Sequence, residues 1–405
     1  MNVFFITVES LSSKYFRPHN SNITPNISKL MDNSFFFPET ITSTTFTKPS
    51  IASIFTSTYP ASHGLPNKSM SLSNYSCRTI AEILSENGVC TAGFSGYRGL
   101  CGHSLYDRGF DYFRSSNPFE KLLYKKLLPI KGNLNLLNIS NKISQEFHDK
   151  IHPLGTDGKN INKFLFRYLA NELNPAKKNF VWLYYFDMHL TERLNRFNKE
   201  HKSKNDSELR YLSLLKYQDR LIGNLVSFLK KKLLFDNSFI VIVGDHGEGL
   251  GEREGFVGHG VNVYEELIKV PLLISSPLID KFKMVKDQVR TIDIAPTIMS
   301  LFKIKSPKQF IGKSLIDFNG NLEFVKEDFA VTYCNPVVGT RIDSLSSLSK
   351  FSVRRYPYKL IKNKPGSYEF YDLENDPNEK KDLYLREKNS ETLKPFLDQI
   401  RLHQL

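Results

Sequence analysis

Cysteine is scarce in this chain and scattered. The four residues Cys77, Cys90, Cys101 and Cys334 form no Cys-x-x-Cys pair, which argues against a zinc knuckle or a disulfide framework and for a reducing compartment. Long hydrophobic runs are also missing. The longest, such as FIVIV, have the length of a strand and fall far short of a membrane span. The opening MNVFFITVES lacks the basic segment and the extended apolar core of a secretion signal. There is no internal repeat and no low-complexity tract. These absences lead us to expect a soluble, cytoplasmic protein that starts at its first strand. What is present is a chain of 405 residues, 40% hydrophobic and 13% aromatic, enough for one large domain with an appendage. Fifty-five basic residues against 42 acidic ones give a formal charge of +13. That balance favours anionic partners such as phosphorylated or sulfated substrates, and no nucleic acid is expected.

Three apolar runs read as strands buried on both faces of a parallel sheet: VFFITV ending at Glu9, NFVWLYYF ending at Asp187, and SFIVIV ending at Gly244-Asp245-His246. Between them lie helical patterns from Pro49 to Thr56, from Thr79 to Glu86, from Ile161 to Glu172 after the capping candidate Asp157, and from Ser207 to Lys232. A further helix in TIDIAPTIMSLF is expected to be capped by Asp293. Alternation of this kind predicts an α/β fold, a mostly parallel sheet flanked by helices. We place the main domain at 1–321, with 117–178 read as an insertion or lid, and a small C-terminal α+β subdomain at 322–405.

In open α/β sheets ligands gather at the carboxyl ends of the strands, and there these three strands carry polar residues. Asp245 and His246 are good metal ligands, flanked by glycines that let the backbone turn sharply. Glu9 is a second carboxylate for the same crevice, and Thr47 in TTFTKPSIASIFT is a candidate fourth ligand. A free threonine hydroxyl is protonated at neutral pH, but a divalent ion lowers the pKa of an oxygen ligand by many units and makes a nucleophile of it. Pro49 and Ser50 suit the first turn of a helix whose amide groups face developing negative charge. Thr44, Thr45 and Ser50 remain alternatives to Thr47.

The segments NVFFITVESL, TPNISKLMDNSFFF, TFTKPSIASIFTSTYPASHGL, VIVGDHGEGLGE, GHGVNVYEELIKVPLLI and YEFYDLENDPNEKKDL, in this order over nearly the whole chain, resemble the sulfatase family of the alkaline phosphatase superfamily. The resemblance implies an alkaline-phosphatase-like catalytic domain, a smaller C-terminal subdomain and a divalent metal that holds the nucleophile and a substrate oxygen. Formylglycine sulfatases read Cys or Ser, any residue, Pro, Ser, Arg; here the text is Thr47-Lys48-Pro49-Ser50-Ile51, and Glu9-Ser10 stands where paired aspartates are usual. The set Glu9, Thr47, Asp245 and His246 is similar instead to the metal site of phosphoethanolamine transferases and lipoteichoic acid synthases, which use a threonine to take up a phosphoryl-linked group.

The same resemblance implies substrate contacts for His189 in YYFDMHLTE and His259 in FVGHGVNVYEE, through hydrogen bonds to non-bridging oxygens or a proton for the leaving group. Lys48 could add charge toward the substrate anion. Asp187, His63, His103 and His152 receive no catalytic assignment, and the basic run EKLLYKKLLPIK reads as a solvated helix face. The expected activity is metal-dependent cleavage of phosphate mono- or diesters, by hydrolysis or transfer, through a covalent intermediate on Thr47. The alternatives are sulfate-ester hydrolysis without formylglycine and a non-catalytic anion-binding relative. Zinc or manganese suits the mixed oxygen and nitrogen set, with magnesium or calcium as alternatives. The substrate would be an anionic phosphate or sulfate ester, with a glycan or lipid head group among the candidates.

Overall fold

The computed structural model describes residues 1–18, 20–64, 77–101, 106–115, 155–190, 204–253, 255–317, 321–322, 328–334, 350–363 and 366–403. His103, His152, the basic run EKLLYKKLLPIK and the 117–154 part of the expected lid lie outside these residues. The remainder of that lid is ordinary scaffold. A helix at Gly158–Asn171, capped by the Asp157 side chain, packs its Ile161, Leu165 and Leu169 into the core.

The strands are β1 (Asn2–Val8), β2 (Ser34–Ile41), β3 (Cys90–Ser95), β4 (Tyr112–Ser115), β5 (Asn179–Tyr185), β6 (Ser238–Gly244), β7 (Gly249–Leu250), β8 (Val257–Gly258), β9 (Lys269–Ser275), β10 (Lys283–Met284), β11 (Val289–Arg290), β12 (Ala330–Cys334), β13 (Lys350–Arg355), β14 (Tyr358–Lys362) and β15 (Tyr368–Asp372). The large sheet runs β10-β2-β9-β6-β1-β5-β3-β4, with β11 beside β2. From β6 to β4 every neighbouring pair is parallel, and β9 runs antiparallel to both β6 and β2. The C-terminal subdomain is a four-stranded antiparallel sheet in the order β12-β13-β14-β15.

The continuous apolar runs follow from helices on both faces. In β5, Phe180, Trp182 and Tyr184 pack toward the helices Thr47–Thr56, Ile80–Glu86 and Ile294–Leu301. Val181, Leu183 and Tyr185 face the opposite layer, formed by Pro25–Met31, Gly158–Asn171 and Lys204–Lys231. The expected cap at Asp293 is not made. A short 3-10 turn at Thr291–Asp293 precedes the helix, and the Asp293 carboxylate accepts instead from the buried Arg290 guanidinium at 2.8 Å and from the Lys313 amide at 2.8 Å. The guanidinium and two backbone amides from outside the helix, those of Arg290 and Lys313, take up the carboxylate.

His63 ends a short helix in a fully buried position, with Nε2 2.8 Å from Ser53 Oγ. Burial pushes its pKa down to about 3 from the ordinary 6.5. The folded protein therefore keeps this ring neutral where the unfolded chain takes up a proton. The stability it contributes is complete above pH 6.5 and is lost as the pH falls from 6.5 toward 3. The His63→Gln variant removes one titrating site, worth about 1.4 kcal/mol per pH unit in that window. Thermal unfolding followed from pH 7 to pH 4 is expected to show wild type losing more stability than His63→Gln, and parallel curves would contradict this assignment.

Candidate active site

The central strands are in register at their carboxyl ends. Val8 pairs with Tyr185 on one side and Gly244 on the other, so Glu9, Phe186 and Asp245 emerge side by side. Thr47 arrives from beyond β2 as the first residue of the helix Thr47–Thr56. Two hydroxyls lock that helix to the end of β6, since Thr42 Oγ1 and Ser50 Oγ both donate to the Asp245 carbonyl, at 2.6 and 2.7 Å.

Four side chains from three distant parts of the sequence meet there. Thr47 Oγ1 lies 3.3 and 3.2 Å from the two Glu9 carboxylate oxygens and 3.4 Å from His246 Nε2. His246 Nε2 is 3.4 Å from Glu9 Oε1 and 3.6 Å from Asp245 Oδ2. Glu9, Asp245 and His246 are fully buried, and Thr47 is 9% exposed. His246 donates from Nδ1 to the Gly247 carbonyl at 2.9 Å, which turns Nε2 toward the cluster. Asp245 accepts from the Ser10 and His246 amides at 3.0 and 2.9 Å. Gly247 permits this turn, because a Cβ there would strike the Glu266 carbonyl.

Charge in this pocket is strongly coupled. Burial opposes the charge of Glu9, yet the hydrogen bond and charge of His246 outweigh it and hold the carboxyl down to about 2. Burial and the adjacent Glu9 charge push Asp245 up to about 6. For His246, burial is overcome by Asp245 and Glu9, which raise the imidazole to about 10. Two enclosed carboxylates thus call for positive charge between them.

The donor set fits a divalent ion. For metal–ligand bonds of about 2.0–2.2 Å, tetrahedral ligands lie roughly 3.3–3.6 Å from one another, and oxygen and imidazole donors suit zinc. The distances from His246 Nε2 to Thr47, Glu9 and Asp245, 3.4 to 3.6 Å, have this spacing. The triad whose ligand atoms all lie within 4.8 Å of one another is Glu9, His246 and His259, so His259 is a further candidate ligand.

The other assigned residues surround the cluster. The His259 ring sits 4.3 Å from that of His246 and 5.5 Å from that of His189. His189 stacks on Phe186 at 4.7 Å in a turn after β5. Lys48, in the first turn beside Thr47, is partly buried, and burial lowers its pKa. Asp187 is not part of the cluster; it accepts from the Gly158 amide at 3.0 Å, and burial pushes it up to about 7.

Two residues escaped the sequence reading. The Tyr184 hydroxyl bridges the carboxylates, bonding Glu9 closely and Asp245 at 2.8 Å. Its place depends on strand register, which no local motif reveals. Glu248 accepts from Ser10 Oγ and His259 Nδ1, both at 2.8 Å. The one available signal was a third ionisable residue in GDHGE.

This fold, and this clustering at strand ends, place the chain among α/β proteins of the alkaline-phosphatase-like class. The family model "Sulfatase" matches residues 1–304, and the model "N-sulphoglucosamine sulphohydrolase, C-terminal" matches residues 259–404. The chain belongs to the sulfatase family. A sulfatase of Formosa agariphila is 29% identical over 170 residues, 42% of this chain and 31% of that protein. An ulvan-active sulfatase of the same species is 26% identical over 398 residues, 93% of this chain and 75% of that one. The chain spans 31% to 42% of the length of the first three curated relatives it matches. The solved phosphonate monoester hydrolase of Silicibacter pomeroyi superposes with a TM-score of 0.73 at 17% identity, covering 100% of this chain and 95% of that one. Among the described residues no helix is long and apolar enough to cross a membrane.

Proposed function

We propose that the protein is an ester hydrolase that cleaves phosphate mono- or diesters, with Thr47 as the attacking group. The observation that carries this reading is the convergence of Glu9 and His246 on one threonine hydroxyl, at 3.2 to 3.4 Å from Thr47 Oγ1, with Asp245 3.6 Å from His246 Nε2. A divalent ion held by Glu9, Thr47, Asp245 and His246 would supply Lewis-acid chemistry, lowering the proton affinity of the Thr47 hydroxyl and offsetting substrate charge.

The chain's own groups do the rest. Glu9 accepts the hydrogen bond of the Thr47 hydroxyl and so stands where its proton can go as Oγ1 bonds to the central phosphorus. The first turn of the helix Thr47–Thr56 offers amide donors to the non-bridging oxygens, and His189 and Lys48 are assigned to the same anionic group. The His259 ring lies 4.3 Å from that of His246, and we assign it to the departing oxygen. Water then opens the Thr47 ester; an alcohol in its place would make the reaction a transfer.

A second reading, hydrolysis of sulfate esters, is favoured by the family and by the names of its relatives. Tetrahedral sulfur presents the same geometry, and parallel rates on aryl phosphate and aryl sulfate esters separate the two. The ulvan-active relative and the net charge of +13 support an anionic polysaccharide ester as substrate. For the hydrolase reading itself, protein quenched during turnover of a slow ester is expected to carry the transferred group on the peptide containing Thr47. Modification of another residue would remove Thr47 from the mechanism. Metal analysis showing no bound zinc or manganese would favour a non-catalytic, anion-binding role.

A further inference from the structure

Each carboxylate of the site has one oxygen engaged by the chain and one left facing His246. Asp245 Oδ1 accepts from the Ser10 and His246 amides at 3.0 and 2.9 Å, which leaves Oδ2, 3.6 Å from His246 Nε2. Glu9 Oε2 accepts closely from the Tyr184 hydroxyl, which leaves Oε1, 3.4 Å from the same nitrogen. Thr47 does not distinguish the two Glu9 oxygens, since its Oγ1 lies 3.3 Å from one and 3.2 Å from the other. The phenol does. It lies 2.8 Å from Asp245 Oδ2 as well, but it has one hydrogen to give and its closer contact is with Glu9. Register fixes its place: β1 pairs Thr7 with Tyr184, so the phenol rises from one step below Glu9. Its ring is fully buried, with the rings of Trp182, Tyr97 and Phe186 at 6.1, 6.5 and 6.5 Å.

We propose that Tyr184 is a positioning residue that restricts Glu9 to a single oxygen toward the metal, and that it thereby selects an ion of low coordination number. This inference rests on the metal-dependent reading of the site given above. With Oε2 tied to the phenol, the chain offers one atom from each residue: Glu9 Oε1, Asp245 Oδ2, His246 Nε2 and Thr47 Oγ1. Four such donors, or five with His259, suit zinc. Calcium takes about six to eight oxygens and draws on both oxygens of a carboxylate, and manganese favours an octahedral set. Asp245 is held by backbone amides, whereas Glu9 is held by one side-chain hydroxyl. Tyr184→Phe deletes that hydroxyl and keeps the ring, so it frees Glu9 to turn both oxygens to the ion.

Metal affinities separate this role from a merely structural one and need no turnover. Wild type and Tyr184→Phe, stripped of metal and checked for folding by circular dichroism, are titrated with zinc, manganese and calcium in competition with a chromophoric chelator. The expected result is a fall in zinc affinity of about 10–100-fold in the variant, as for other partners that orient a metal ligand. Manganese and calcium are expected to lose less than about threefold or to gain, because a freed Glu9 oxygen adds to their larger shells. Equal changes for all three ions would overturn the proposal, since a general loss of shape or charge does not choose between ions, and so would an unchanged zinc affinity. Cobalt(II) reports the shell directly. Wild type is expected to give the intense visible bands of a four- or five-coordinate ion and Tyr184→Phe weaker ones. Weak, six-coordinate bands in wild type would sink the proposal even where the variant fails to fold. A tyrosinate absorption that appears in wild type on zinc binding would make the phenol itself a ligand, which also overturns it. Wild type that binds none of these ions removes the metal site and the proposal together, whereas failure of the hydrolase reading alone shows as absence of the Thr47 adduct with metal still bound.

Discussion

Replacing Thr47 with alanine is expected to lower kcat on a nitrophenyl phosphate ester by a factor of about a thousand or more, because on the proposed mechanism it deletes the atom that would form the new bond. The change is small in structural terms. Thr47 occupies the first position of its helix, and its side-chain oxygen lies within hydrogen-bond reach of Glu9 and His246. The locks that hold the helix, Thr42 and Ser50 on the Asp245 carbonyl, remain. Stability should therefore change little, and the loss should fall on kcat. Serine at position 47 keeps the hydroxyl without the methyl group and is expected to retain activity well above alanine. The measurement is steady-state kinetics on wild type and both variants, with circular dichroism to verify folding. Alanine activity near that of wild type would leave the carboxylates and His246 to activate water directly, and the covalent route would be lost.

The largest effect on stability is expected at Arg354. Its guanidinium is 1% exposed and bonds both carboxylate oxygens of Glu265 at 3.0 Å, Glu39 at 2.6 Å and the Gln288 side chain at 2.7 Å. Lys359, fully buried, pairs with Glu265 at 3.3 Å and Glu379 at 2.7 Å, while Arg253 reaches Glu379 at 3.0 Å. Burial opposes the charge of Glu265, but Arg354 and Lys359 hold it down to about 2. Arg354→Met leaves two part-buried carboxylates incompletely paired, Glu265 with Lys359 and Glu39 with Lys269, a loss of up to about 3–5 kcal/mol. Urea unfolding should show this as a lower midpoint. The double variant Arg354→Met/Glu265→Gln is expected to lose less than the sum of its single changes, since one stranded charge is gone. A loss below about 1 kcal/mol in Arg354→Met would mean that the network is effectively solvated.

The sequence displayed this ionic network only as scattered charges, and the reason is instructive. Glu39, Glu265, Arg354, Lys359 and Glu379 lie on five separate segments, and nothing local marks any of them as buried. The strands β1, β5 and β6, by contrast, were legible because burial on both faces demands unbroken apolar runs, and their ends drew attention to Glu9, Asp245 and His246. Other strands hid. SFFFPETI carries a proline and an irregular register against β9, so its period is broken. CTAGFS contains small residues where Gly93 lies against Phe113. Asp157 announced its helix correctly through local capping chemistry, and the helix read from Thr79 proves to be capped by Thr79 itself, whereas Asp293 was claimed by Arg290 and Lys313, partners that a cap motif does not register. Tyr184 and Glu248 share that obscurity: their roles exist only once register and a sharp turn have brought them beside Glu9 and His259.

Strand β12 joins what the chain order separates. The Tyr333 amide donates to the Ser43 carbonyl and Thr332 Oγ1 to the Thr42 carbonyl, at 2.9 and 2.6 Å, while Cys334 Sγ reaches the Gly260 carbonyl at 3.1 Å. One short strand from the C-terminal sheet is thereby stitched to the segment that leads into Thr47 and to the loop that carries His259. A polypeptide cut back to its first 321 residues would keep every side chain of the proposed reaction yet lack the seam that ties the Thr47 and His259 segments together, so the site and the C-terminal sheet are inherited together.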